Sequence, residues 1–200
     1  MDPSNIILVG ESAGGSFVHA LLSHHLRPYP DSSLVPKLEL TNNKPLKGAY
    51  LFSPWSKLGL TIGIPKGMFP YRHVEGPDVL TGATEKKFAT AVLKSVPTPA
   101  IPYVDAILAT MGPDGKDWYK GLDSATSHIL ISVGTSEIIR DAVKKQHEDM
   151  SQHHPDVELY TQEWGIHVDP HFDMMLGELK ITDLTKRTIE WLEETFTATE

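Results

Sequence analysis

The chain has 200 residues, 40% hydrophobic and 22% charged, with a net charge of −8 and no cysteine. That length supports one domain with a buried core, and without cysteine there are no disulfides, no thiolate metal sites and no cysteine nucleophile. The acidic balance argues against a nucleic-acid partner, no run reaches the roughly 18 apolar residues of a membrane span, and Met1-Asp2-Pro3-Ser4-Asn5 has no basic n-region, so a soluble, cytoplasmic chain is expected.

Asn5 to Val9 is apolar, mostly branched and ended by glycine, which predicts a short buried strand. Ser12 to Leu26 predicts a helix with Phe17, Ala20, Leu21 and Leu22 near helical spacing, stopped by Pro28 and Pro30. Leu46 to Ser53 predicts a second strand, closed by Pro54. Trp55 to Asp123 is rich in glycine and proline and shows helical patterns near Thr84–Lys94 and Tyr103–Met111. A stretch this long without a strand predicts an inserted subdomain, 55–123, inside a single domain, 1–200. His128 to Val133 predicts a third strand and Ile138 to Met150 a helix. Val157 to Gln162 predicts a fourth, less buried strand. Leu179 to Thr195 predicts a closing helix with Leu184, Ile189, Trp191 and Leu192 turned inward. Strands alternating with helices predict an α/β fold, a parallel sheet of about four strands covered on both faces.

The chemistry centres on Gly10-Glu11-Ser12-Ala13-Gly14-Gly15, between the first strand and the first helix. A serine at the apex of so tight a turn takes a strained backbone, and glycines at Gly10, Gly14 and Gly15 let strand and helix close around it. The hydroxyl then stands clear of the backbone, and the Ala13 N–H at the helix start can receive an oxyanion. A phosphate cradle is the competing reading, but the chain lacks Gly-x-Gly-x-x-Gly there and no Gly-Lys-Ser/Thr follows. Two later loops carry acids and bases. "VGTSEIIRDAV" follows the third strand, with Glu137 ahead of a helix and Asp141 in its first turn, where the helix dipole alone favours an acid. "WGIHVDPHF" follows the fourth strand; His167 comes directly after Gly165, and His171 is its competitor. Pro170 forbids a helix joining those histidines, and no His-Glu-x-x-His frame exists, so no metal site is expected. His24, His25, His153 and His154 read as solvated helix ends, and Trp55 and Trp164 as core or pocket wall.

With "GESAGG", "LFSPW", "ISVGTSEIIRDA" and "WGIHVDP" in that order, the chain resembles the hormone-sensitive-lipase-like (α/β-hydrolase fold-3) carboxylesterases and lipases. The resemblance covers most of the chain and is thinnest between Trp55 and Asp123. It implies a serine esterase with Ser12 as nucleophile, Glu137 as acid, His167 as base and Ala13 in the oxyanion hole, acting through an acyl-enzyme without a cofactor on a small-molecule ester. Asp141 remains the alternative acid, because the family more often has Asp at the acid position and Leu two residues on, where this chain has Glu137 and Ile139. Amidase or formamidase chemistry on the same triad, or a non-catalytic binding module, are the alternatives in function. The insertion falls where the family places part of its cap, so Met68, Phe69, Tyr71, Phe88, Val92, Leu93, Ile101, Tyr103, Ile107 and Leu108 are candidates for an acyl-pocket wall. The family also carries a His-Gly-Gly-Gly loop and further strands ahead of the serine. Neither is present here, so the chain reads as the C-terminal half of a larger hydrolase. Taken alone it is expected to be a poor esterase, prone to self-association through an unpaired sheet edge.

Overall fold

The structure is a computed structural model that describes residues 2–59, 77–112, 115–178 and 181–197. Four parallel strands form one sheet in the order β1 (Ile7–Glu11), β2 (Gly48–Phe52), β3 (Ile129–Gly134), β4 (Val157–Gln162). The strands are in register at their carboxyl ends, with Glu11 opposite Phe52, Phe52 opposite Ser132, and Gly134 opposite Gln162. The first strand starts two residues later than expected and runs to Glu11, directly against the serine, because its pairing with β2 continues that far. The intervening helices are α1 (Ala13–Leu26), α2 (Gly82–Ser95), α3 (Ile101–Val104), α4 (Ala106–Met111), α5 (Leu122–Ala125), α6 (Arg140–Ser151), α7 (Asp169–Met175) and α8 (Asp183–Thr197).

Alternation along the central strands divides the core in two. Ala49, Leu51, Ile129, Ile131 and Val133 face α1, α5 and α6, where Val18, Leu22, Leu122, Val143 and Met150 meet them together with Tyr119 just ahead of α5. Tyr50, Phe52 and Leu130 face the opposite way, against Leu184 and Trp191 of α8. Both central strands are buried along their whole length, whereas every residue of β4 is half-buried, as its alternating sequence predicts for a sheet margin. β1 forms the other margin. It is not covered on both faces as its apolar run suggests, for Val9 is 63% exposed.

Several helical faces differ from expectation. On α1 the buried stripe is Gly15, Val18, His19 and Leu22, while Phe17 and Leu21 point outward. This helix is apolar on both sides, so periodicity could not choose a face; close contact of Gly10 with Gly14 and Val18, and of Gly15 with Pro54, chooses it. On α8, Ile189 is exposed, and the inner stripe is Leu184, Thr188, Trp191 and Thr195, with Tyr50 Oη and Thr188 Oγ1 3.2 Å apart. The expected Tyr103–Met111 helix is broken at Asp105, which takes an extended φ of −133° and caps α4 by accepting the Leu108 N–H. Asp105 also holds Lys57 in an ion pair of 2.9 Å with both side chains fully buried.

The histidines placed at solvated helix ends are not all solvated. His24 and His154 are buried, each bonded to a backbone carbonyl through Nε2 (Pro36 and Thr126) and each accepting a backbone N–H on Nδ1 (Tyr29 and Asp156). They act as small connectors between chain segments. Trp164 is neither core nor pocket wall: it is 79% exposed, on a left-handed residue with φ 62°. Among the described residues no helix is long and apolar enough to cross a membrane.

Candidate active site

Ser12 sits between β1 and α1 with φ 52° and ψ −115°, a conformation non-glycine residues avoid at a cost of about 1–3 kcal/mol. Neighbours hold it there. Its N–H donates to Phe52 O at 2.9 Å, and its carbonyl accepts the Trp55 N–H at 2.9 Å. The glycines around it do different work. A Cβ on Gly10 would lie 2.2 Å from Gly14 O, and one on Gly15 would lie 2.6 Å from Pro54 Cβ, so both positions need the missing side chain. Gly14 is the exception to the expected close packing, since a Cβ there would meet nothing within 4 Å. Ala13 opens α1, and the first amides of a helix have no intrahelical acceptor, so its N–H is available beside the hydroxyl.

The loops after β3 and β4 bring an acid and an imidazole to the same sheet edge. His167 Nε2 lies 2.9 Å from Ser12 Oγ, and His167 Nδ1 lies 2.9 Å from Glu137 Oε2. Glu137 cannot donate while ionised, so Nδ1 carries the proton toward it and Nε2 is left to accept from the serine hydroxyl. Glu137 and His167 are both buried, at 1% and 5% exposure. Burial pushes the Glu137 carboxyl above its ordinary range, opposed by His167, by the Gly134 N–H at 2.6 Å and by the Ser53 hydroxyl at 2.7 Å. These three donors offset part of the cost of burying the carboxylate and turn it toward the imidazole.

The alternative residues lie elsewhere. Asp141, in the first turn of α6, accepts from the Arg140 guanidinium at 2.8 Å, not from the imidazole. His171, in α7, pairs with Glu11 at 2.8 Å and lies against Phe52. Among the described residues no three His, Asp or Glu side chains group closely enough to hold a metal ion.

Three supports were not visible in the sequence pattern. Ser53, at a left-handed φ of 43°, reaches from the end of β2 to Glu137. Gly134 and Gly165 touch so closely that a Cβ on Gly134 would lie 2.1 Å from Gly165 O, which locks the acid and base loops together. Asp78, in the segment before α2, accepts the His167 N–H and the Ile138 N–H, each at 2.9 Å. No periodicity or motif marks Asp78; only folding brings it across.

A cavity of about 340 Å³ opens beside the serine, walled by Ala13, Trp55, Leu80, Phe88, Ala91, Val92, Ile139 and His167. Glu85 closes part of it, buried, accepting from Trp55 Nε1 at 3.3 Å and Gly59 N at 2.7 Å. Of the expected wall residues, Phe88 and Val92 are here, whereas Ile107 is fully buried away from the cavity and Tyr103 lines a separate apolar groove with Phe17 and Leu21. Leu93, Ile101 and Leu108 are not among the lining residues, and Met68, Phe69 and Tyr71 lie outside the described residues.

A serine on a strained strand-to-helix turn, with an imidazole and a carboxylate arriving from later strands of a parallel sheet, is the layout of an α/β hydrolase. The family model described as "alpha/beta hydrolase fold" matches residues 1–169, and the chain belongs to this family, α/β-hydrolase fold-3. Among solved structures, the chain is similar to a hormone-sensitive lipase from a metagenome library, at 18% identity and a TM-score of 0.66, over 96% of this chain and 55% of that one. It is similar to an esterase/lipase from an uncultured bacterium, at 21% identity and a TM-score of 0.64, over 98% and 55%. It also matches brefeldin A esterase, a bacterial homologue of human hormone-sensitive lipase, at 14% identity and a TM-score of 0.59, over 88% and 42%. At these identities the likeness is one of fold, and the chain spans about half the length of the structures it matches. No curated protein matches it.

Proposed function

We propose that this chain carries the reacting groups of a serine hydrolase acting on carboxylic esters, with Ser12 as nucleophile, His167 as general base and Glu137 as the acid that orients the base. The observation that carries the reading is the unbroken hydrogen-bond chain from Ser12 Oγ through both imidazole nitrogens to Glu137, at 2.9 Å and 2.9 Å. As Ser12 Oγ attacks the ester carbonyl carbon, its proton passes to His167 Nε2. Glu137 then stabilises the imidazolium through Nδ1. The Ala13 N–H faces the oxygen that gains charge. His167 returns the proton to the departing alcohol, leaving an acyl-serine; a water then gives a proton to Nε2 as it attacks the acyl carbon, and that proton passes to Ser12 Oγ as the acyl–oxygen bond breaks and the carboxylic acid departs. Protons and electron pairs balance among these groups without a metal or cofactor.

The apolar cavity would receive the acyl group, and the 55–123 segment, which supplies Trp55, Leu80, Phe88, Ala91 and Val92, would act as part of a cap. The alcohol and acyl portions that the whole protein accepts belong to the same proposal. The test is covalent labelling with an alkyl fluorophosphonate, read by peptide mapping, beside hydrolysis of a short-chain aryl ester and its matching anilide. Stoichiometric labelling of Ser12, lost in Ser12→Ala, is expected, with ester cleaved faster than anilide. Labelling at another residue, or labelling unchanged in Ser12→Ala, would overturn the assignment.

A further inference from the structure

We propose that Asp78 is a positioning residue that holds the base and acid loops at their working separation, an inference that rests on the triad reading above. Its carboxylate is divided evenly between the two loops. Oδ1 accepts the backbone N–H of His167, and Oδ2 accepts the backbone N–H of Ile138, the residue after Glu137, each at 2.9 Å. Bonds from backbone amides to a charged acceptor are among the stronger hydrogen bonds of a protein. Asp78 touches neither Ser12 nor the imidazole ring in any described hydrogen bond, so its influence passes through backbone position alone.

The two loops already share one backbone tie, Ser136 N–H to Gly165 O at 3.0 Å. That bond lies one residue before Glu137 and two before His167. On the same side the Trp164 N–H also donates to Thr135 Oγ1 at 2.7 Å. Asp78 adds a tie on the far side of the acid and at the base itself, so the pair is gripped from both ends. Ile138 is only 8% exposed, so no water could easily replace its lost acceptor. The segment that supplies the carboxylate leads into α2, capped by the Thr81 side chain, and α2 presents Phe88, Ala91 and Val92 to the cavity. One short stretch therefore joins the cavity wall to the geometry of the triad. Movement of that wall and alignment of the imidazole would be coupled through a single side chain.

The experiment compares Asp78→Ala and Asp78→Asn with the unaltered chain. It measures the second-order rate of fluorophosphonate labelling at Ser12 per folded molecule, with folded fraction taken from circular dichroism. The imidazole ¹⁵N shifts of His167, which report its tautomer, are measured in parallel. Misplacing a reacting group by about 1 Å can cost about 100-fold, and a fall of that order is expected for Asp78→Ala, with the Nδ1–H tautomer no longer dominant. Asn retains one acceptor, so Asp78→Asn should recover part of the rate; it also carries the comparison if Asp78→Ala does not fold. Rate and tautomer unchanged in a folded Asp78 variant, while the unaltered chain labels at Ser12, would overturn the role of Asp78 and leave the triad reading standing. An unaltered chain that neither labels at Ser12 nor holds the Nδ1–H tautomer would overturn both.

Discussion

The three glycines of the serine turn should respond very differently to the same substitution. In Gly10→Ala the new methyl would sit 2.2 Å from Gly14 O, 2.4 Å from Gly14 C and 2.7 Å from Val18 Cγ2. Real Cβ contacts essentially never fall below 3.0 Å, and the nearest obstacles are backbone, so α1 would have to move away from β1 by the missing 0.8 Å. Forcing extra volume into a packed site costs about 1–3 kcal/mol, and a displaced backbone belongs at or above the top of that range. In Gly14→Ala the methyl meets nothing within 4 Å, and φ is not in the left-handed region. Within a helix, alanine in place of glycine gains about 0.5–1 kcal/mol, chiefly from the smaller entropy of the unfolded chain. The two variants should therefore differ by about 3–4 kcal/mol, although both lie in the same motif. In urea unfolding followed by circular dichroism, a slope of about 1–3 kcal/mol/M turns that difference into at least 1 M between their midpoints. Gly15→Ala should fall with Gly10→Ala, its methyl meeting Pro54 at 2.6 Å. A Gly14→Ala variant destabilised as much as Gly10→Ala would refute the reasoning.

The carboxylates of the acid loop should separate in the same way: Glu137→Gln should lower the rate of Ser12 labelling by several powers of ten, since the imidazole loses the negative charge that fixes its tautomer and stabilises its protonated form, while Asp141→Asn should change only stability, by up to about 1 kcal/mol through the helix dipole. The reverse pattern would show that the orienting carboxylate is Asp141. His19 makes stability depend on acid. Burial lowers its pKa from 6.5 to about 4, against the opposing hydrogen bond to Pro102 O. The unfolded chain then binds the proton more readily, so stability is fully present above about pH 6.5 and is lost as pH falls toward 4, by about 3 kcal/mol at most. Denaturant midpoints measured from pH 7 to pH 4 should fall across that window, and His19→Gln should flatten the decline; an equal slope in the variant would remove His19 as its cause.

The fold was legible because its signals are local and repeated. The first three strands are apolar runs ended by glycine or proline, the fourth alternates as a sheet margin does, and helical stretches lie between and after them, which is enough for a parallel sheet. The serine turn was legible for a related reason: Gly10, Ser12 and Gly15 respond to contacts within a few residues or with the adjacent strand end. Glu137 and His167 could be found because they stand in loops at the carboxyl ends of predicted strands, and the structure brings both to Ser12. What stayed hidden depends on distant partners. Asp78 is 60 residues from Ile138 and 89 from His167, so no window of sequence contains its function. The direction of α1 was hidden for another reason, since Phe17 and Leu21 are as apolar as Val18 and Leu22. The burial of His24 and His154 was hidden because a histidine that serves as a connector carries no pattern of its own.

The short stretch after β2 contributes no reacting atom to the proposed triad, yet nearly every part of the site leans on it. Ser53 donates to Glu137, Pro54 fills the space left by Gly15, and Trp55 bonds the carbonyl of Ser12 while its own carbonyl accepts the Ser16 hydroxyl at 2.7 Å. In a saturation screen for labelling activity, Ser53 and Pro54 should score among the least replaceable positions of the chain, alongside Ser12 itself. The outer faces of β4 and α7, equally close in sequence to reacting groups, should tolerate wide change. Intolerance to substitution in such a screen would therefore map the scaffold that aims the chemistry as much as the chemistry, and an assignment of roles based on intolerance alone would count a hinge pin among the tools.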